Sequence, residues 1–253
     1  MPLRWARAIT GRPRIVVHNW CYHGTVDETI ATLEQGRTVA RRGNVGKPVP
    51  LDETTRVVEI NDLPALEAAL ARGDIAACLF EPALTNIGIV LPDAGYHAAV
   101  RELCTAHGAL LVVDETHTIS AGPGGCTRAW GLEPDVLTIG KTLGSGIACG
   151  AYGVTESVRA RIGERTDTKT TDVGGIGGTL AGNALSLAAM RATLGEVLTE
   201  AAFARMAALA ERFEQGVQGV IGSRVLPWHV VQRQAANSVL TEPGSTQATR
   251  MPS

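Results

Sequence analysis

A carboxylate and an amine stand out by what surrounds them. Asp114 closes the apolar run Ala109-Leu110-Leu111-Val112-Val113. Lys141 follows Asp135-Val136-Leu137-Thr138-Ile139-Gly140 and leads into Thr142-Leu143-Gly144-Ser145-Gly146. Runs that are apolar on both faces suit parallel strands covered by helices. Each run therefore predicts a buried strand that delivers a charged residue to its carboxyl end, where open α/β sheets collect ligands. An amine and a carboxylate brought together there suit pyridoxal 5'-phosphate. The amine forms a Schiff base, and the acid keeps the pyridine nitrogen protonated so that the ring accepts electrons. Taken singly, each residue reads first as something blander: a structural Asp at a strand end, a solvated Lys in a glycine loop.

The elements that must position this pair are legible along the chain. Residues 3–9 read as the last turns of a helix stopped at Gly11, with basic residues at its negative end. Arg4, Arg7, Arg12 and Arg14 with no acid before Asp27 also fit a targeting segment, but Thr10-Gly11-Arg12-Pro13 fits a helix stop better. Strands are expected at residues 15–18, 57–60, 76–80 and 151–154. Helices are expected at 63–72, capped by Asp62, and at 96–107, closed by Gly108. Residues 25–50 read mostly as loop, with a weakly periodic helix at 25–35, and 120–125 as a glycine-rich loop. Long Ala- and Leu-rich helices are expected at 181–198 and 200–217. Strands alternating with helices predict a parallel or mixed sheet covered on both faces. From Gln232 onward the chain is polar, with little to bury, and reads as a disordered tail.

Other chemistries fit less well. Gly140-Lys141-Thr142 imitates the end of a phosphate-binding loop, but the first glycine of that pattern falls on Asp135. Gly122-Pro123-Gly124-Gly125-Cys126-Thr127 fails the dinucleotide pattern at its last position, and Leu143 rules out a nucleophile elbow at Ser145. His18, His23, His97, His107, His117 and His229 lack metal-ligand spacing, so no metal is expected.

The 253 residues are 45% hydrophobic with a formal net charge of −2, enough to build a sizeable core. That balance offers no electrostatic case for nucleic acid or an anionic membrane, and no apolar run approaches the roughly 20 residues of a span. Five scattered cysteines, with no C-x-x-C pair, read as reduced thiols of a cytoplasmic protein.

Five segments, in order, resemble the class III pyridoxal-phosphate-dependent aminotransferases, in the branch that contains glutamate-1-semialdehyde aminomutase. They are Cys21-Tyr22-His23-Gly24; Phe80-Glu81-Pro82 with Asn86-Ile87-Gly88; Val113-Asp114-Glu115; Pro134-Asp135-Val136 through Gly140-Lys141 and Gly144-Ser145-Gly146; and Gly178-Thr179-Leu180-Ala181-Gly182-Asn183. The resemblance covers roughly residues 4–220, and five ordered motifs make it specific where one would not.

The resemblance implies an α/β fold type I large domain over residues 1–222, its mixed, mostly parallel sheet carrying helices on both faces. Residues 223–253 would be a C-terminal remnant or a tail. It implies amino-group transfer on a small amino or keto substrate, between molecules or between adjacent carbons of one, in a homodimer with shared active sites. Lys141 would carry the Schiff base and shuttle the proton, and Asp114 would pair with the pyridinium. Tyr22 would border the ring or be a core aromatic; His23 is a cofactor neighbour or, preferably, structural. Glu81 would position groups around the ring. Thr179 would bind the opposite subunit's phosphate, or is a loop residue beside a shape-determining glycine. The family usually has Val and then Gln or Met after its Asp-Glu pair; here stand Thr116 and His117, and His117 would reach the ring oxygen or tune its pKa. The family's first phosphate-binding loop precedes residues 3–9 and its small C-terminal domain follows Trp228-His229. The chain is therefore expected to be truncated at both ends, binding the cofactor weakly and turning over poorly, or to be an inert fragment.

Overall fold

The computed structural model describes residues 1–165 and 178–225. The segment at Trp228-His229 and the polar tail lie outside the described residues. In chain order the described strands are β1 (Arg14–His18), β2 (Ala31–Glu34), β3 (Arg37–Ala40), β4 (Thr55–Val58), β5 (Ile75–Phe80), β6 (Leu110–Asp114), β7 (Val136–Ile139) and β8 (Ala151–Val154). The α-helices are α1 (Pro2–Thr10), α2 (Leu63–Leu70), α3 (Tyr96–His107), α4 (Gly125–Ala129), α5 (Glu156–Arg165), α6 (Ala184–Ala192) and α7 (Glu200–Ser223).

Six strands form one sheet in the order β4-β1-β5-β6-β7-β8. All neighbours run parallel except β8, which is antiparallel to β7. Every residue of β5 and β6 is buried, as their unbroken apolar runs require. Alternate side chains serve opposite faces. Ile15, Val17, Ala77, Leu79, Leu110 and Val112 pack with Leu3, Ala6 and Ile9 of α1 and Val158 of α5. Val16, Cys78, Phe80, Leu111 and Val113 pack with Leu66 and Leu70 of α2 and Val100 and Cys104 of α3. Both faces are thus covered by helices.

Local signals set the helix ends. Gly11 adopts φ 69°, and its N–H bonds to the Arg7 carbonyl, closing α1. Arg12 then donates to the carbonyls of Ile75 and His107 at 3.0 and 2.7 Å, tying the helix exit to the sheet. Asp62 accepts from the Ala65 N–H at 3.0 Å and starts α2, which stops at Leu70 rather than at residue 72.

The expected helix at residues 25–35 is not formed. A single 3-10 turn, Asp27–Thr29, leads into β2, which pairs with β3 in a hairpin, Glu34 facing Arg37. Gln35 and Gly36 take φ 51° and 74°, the left-handed pair that a two-residue hairpin turn needs. Of the stretch expected as a glycine-rich loop at 120–125, Ser120 and Ala121 belong to a 3-10 turn, Thr118–Ala121, and Gly125 opens the short α4. The long helix expected at 181–198 begins only at Ala184, after Asn183 caps it by accepting from the Ser186 N–H, and ends in a wider π-type turn, Thr193–Val197. α7 continues past residue 217 to Ser223. It buries Phe203 but leaves Leu209, Phe213 and Val220 at 51, 70 and 51% exposure. Among the described residues no helix is long and apolar enough to cross a membrane, and no cluster of three or more His, Cys, Asp or Glu could hold a metal ion.

Candidate active site

Four parallel strands end on one edge of the sheet, and each is followed within a few residues by a group flagged above. Tyr22 and His23 follow β1, Glu81 follows β5, Asp114 ends β6, and Lys141 follows β7. Chain direction alone brings them to the carboxyl edge, where ligands of such sheets bind.

Asp114 is buried, and each of its oxygens has a partner. Its Oδ2 lies 2.7 Å from Nδ1 of His23, and its Oδ1 accepts from the backbone N–H and the hydroxyl of Thr116. Burial alone would raise the carboxyl's pKa. The hydrogen bond and charge of His23, aided by Thr116, overcome this and hold it at about 2. Burial likewise opposes a charged His23. The adjoining Cys21 sulfur and Asp114 outweigh it, and the ring's pKa rises to about 10. The two form a buried imidazolium–carboxylate pair. His23, preferred above as structural, is thus in direct contact with Asp114.

Lys141 is exposed and takes φ 47°, an unusual conformation for a residue with a Cβ, as it turns out of β7 into a single 3-10 turn ending at Gly144. Its Nζ lies 5.8 Å from the centroid of the Tyr22 ring. Tyr22 is 43% exposed, so it is not a core aromatic. The Lys141 amine also meets Nε2 of His117. The other ring nitrogen of His117 meets the Thr85 hydroxyl, which donates to Glu81 Oε2 at 2.6 Å. Glu81 Oε1 accepts the backbone N–H of Tyr22 at 3.1 Å. Glu81 therefore braces both the loop that carries Tyr22 and the side chain that reaches Lys141.

Two placements differ from the rest. Thr179 is exposed, in the turn that precedes α6. Thr85, which no motif singled out, is a member of the cluster. Its only sequence signal is a hydroxyl four residues beyond a strand-end glutamate. Glu115, next to Asp114, points elsewhere. It bonds the Thr118 hydroxyl and the backbone N–H groups of Cys126 and Thr127, fastening the first turn of α4 to the strand end.

The arrangement can hold a planar, cationic aromatic cofactor. It offers an exposed amine to bond it, an aromatic ring beside that amine, and a buried carboxylate kept ionised for a ring nitrogen.

Comparison with known proteins agrees with this fold. The family model "Aminotransferase class-III" matches residues 2–223. A glutamate-1-semialdehyde 2,1-aminomutase of Anaeromyxobacter sp. (strain K) is 36% identical over 243 residues, 94% of this chain and 54% of that protein. The chain thus spans about half the length of the curated relatives it matches. The crystal structure of a glutamate-1-semialdehyde-aminomutase from Pseudomonas aeruginosa PAO1 in complex with PMP superimposes with a TM-score of 0.87 at 47% identity, covering 93% of this chain and 53% of that one. An omega-transaminase from Sphaerobacter thermophilus does so with a TM-score of 0.78 at 27% identity, covering 93% and 55%. With the fold and the matched residues in agreement, the chain belongs to the class-III aminotransferase family.

Proposed function

We propose that this chain carries the cofactor-binding half of a pyridoxal-phosphate-dependent enzyme of amino-group transfer. The observation that carries this reading is the meeting of three groups at one sheet edge: the exposed Lys141 amine, the Tyr22 ring beneath it, and the ionised Asp114 carboxylate. They fit pyridoxal 5'-phosphate in kind and number, and the similar Pseudomonas aeruginosa structure carries PMP. When bound, the cofactor supplies an aldehyde for amines and a ring that accepts electrons.

The chain's own residues do the rest. Lys141 presents the amine that bonds the cofactor, and once displaced by a substrate amine it moves the proton at the substrate carbon. Asp114 holds a proton on the ring nitrogen, and His23 keeps Asp114 ionised while doing so. Tyr22 covers the ring. Glu81 orients the Tyr22 loop and, through Thr85, the imidazole of His117, which lies beside the Lys141 amine and would border the cofactor ring there. Thr179 serves the phosphate of an opposite subunit in a homodimer with shared sites. Residues 1–222 are the large domain, acting in the cytoplasm on a small amino or keto compound. The higher identity to the aminomutase than to the omega-transaminase favours transfer between adjacent carbons of one substrate over transfer between molecules.

The test is chemical. Pyridoxal phosphate is added, the visible spectrum is recorded, the adduct is reduced with borohydride and the peptides are mapped. The pyridoxyl group is expected on Lys141. The chain has only two other lysines, Lys47 and Lys169, and a label mainly on either refutes the assignment.

A further inference from the structure

The contact between Lys141 and His117 belongs to a chain of polar groups whose proton order can be worked out. Thr85 has one hydroxyl proton. Glu81 Oε2, 2.6 Å away, is a carboxylate oxygen that can only accept, so the Thr85 proton goes to it. The Thr85 oxygen is then left to accept, and its other neighbour is Nδ1 of His117. That nitrogen must carry the imidazole's proton. Nε2 is then a bare lone pair, and it is the atom that faces the Lys141 amine. Glu81 itself is held by the Tyr22 N–H and is 2% exposed, so the far end of the chain cannot swing.

We propose that His117 is the proton partner of Lys141, its tautomer fixed by Thr85 and Glu81. The inference rests on the reading of Lys141 as the residue that bonds the cofactor, and deepens it. In the forward step an N–H bond of the Lys141 ammonium breaks and an N–H bond forms at His117 Nε2. The amine keeps the electron pair and becomes nucleophilic. His117 becomes an imidazolium, and the Glu81 carboxylate, 3.7 Å from its Nδ1, offsets the new charge. Among the described residues the hydrogen bonds and ion pair of the ring run to Thr85, Lys141 and Glu81. Base, orienting hydroxyl and buried acid repeat the logic by which other enzymes activate a weak nucleophile. Thr85 and Glu81 are positioning residues here, while His117 touches the reacting nitrogen.

The test uses the full chain without added cofactor and has two readouts. Nitrogen NMR of histidine-labelled protein, with the His117 signals assigned by their loss in His117→Gln, is expected to show a neutral ring protonated on Nδ1. Thr85→Val is expected to convert it to a mixture of tautomers. Competitive acylation with acetic anhydride near neutral pH, read by mass spectrometry, compares Lys141 with the exposed Lys47. Gln at 117 keeps an acceptor beside the amine but cannot take its proton. The Lys141:Lys47 ratio is expected to fall about threefold to tenfold in His117→Gln, the scale of one hydrogen bond, and to fall in Thr85→Val as well. If His117→Gln does not fold, Thr85→Val carries both readouts. A wild-type ring protonated on Nε2, or a ratio that neither variant changes, overturns the proposal. Failure of the underlying reading looks different: the pyridoxyl label then sits on Lys47 or Lys169 while the acylation ratio still falls.

Discussion

Replacing Asp114 with Asn removes the negative half of the buried pair with His23 while keeping its shape. The size of the effect follows from proton affinities. Asp114 is held at about 2 against an ordinary 3.8. At about 1.4 kcal/mol for each tenfold change in affinity, the native surroundings of the carboxylate are worth about 2–3 kcal/mol. Seen from His23 the change is larger, from 6.5 to about 10. That rise includes the Cys21 sulfur as well as Asp114, so the smaller figure is the better measure of the pair. The sign with pH differs for the two partners. A depressed carboxyl contributes stability above 3.8 and loses it as pH falls through about 2. A raised imidazole contributes fully below 6.5 and loses its contribution as pH rises through about 10. The pair is therefore at full strength between about pH 4 and pH 6.5. Urea unfolding of wild type and Asp114→Asn, followed by circular dichroism, is expected to show a deficit of about 2–3 kcal/mol near pH 5 that narrows towards pH 10. A deficit equal at about pH 5 and about pH 9.5 refutes the ion pair, and with it the account of how Asp114 stays ionised beneath a ring nitrogen.

Two further outcomes are expected. A Cβ at Gly125 would stand 2.6 Å from Glu115 Oε2, at φ 64°. Gly125→Ala should thus cost about 2–4 kcal/mol in thermal unfolding, and a loss under about 1 kcal/mol contradicts the packing of α4 on Glu115. Leu209, Phe213 and Val220 form an exposed apolar strip on α7. Sedimentation velocity in the micromolar range should show self-association that Phe213→Asp weakens, whereas a well-behaved wild-type monomer counts against the dimer.

Where one physical requirement dominates, the residues are readable in advance. Residues 110–114 read as a buried strand because four consecutive apolar side chains need cover on both faces before the run ends in a carboxylate. Gly11 and Gly108 close their helices where expected because only a left-handed residue allows that exit. The β2–β3 hairpin was hidden because its turn places Gln35, rather than the usual Asn or Asp, at positive φ. The break at the π-type turn falls on Thr193-Leu194-Gly195-Glu196-Val197, where a single glycine inside an otherwise Ala- and Leu-rich stretch is too weak a signal to end a helix. At the site, Asp114 and Lys141 are legible because each is charged at the end of an apolar run. Thr85 is not, because its partners Glu81 and His117 lie on two different strand-end loops, and only the sheet order brings those loops together.

Asp114 and Glu115 are neighbours with the same functional group and different work. The first is paired with His23 at the candidate site, while the second anchors α4 through Thr118, Cys126 and Thr127. Adjacent residues of a strand face opposite ways, so their order is a directional code. A slip of β6 by one residue against Val136 and Leu137 of β7 would exchange them, presenting the anchor to the cofactor face and the cofactor ligand to α4. Neither carboxylate could then find its partners. The ladder bond from the Glu115 N–H to the Thr138 carbonyl, 2.9 Å long, is one of the bonds that forbid the slip. Insertions or deletions within residues 109–115 should therefore be lost from any functional library even where every inserted residue is a good strand former. Paired exchanges that keep the length should survive at Leu110–Val113 and fail at the Asp-Glu step.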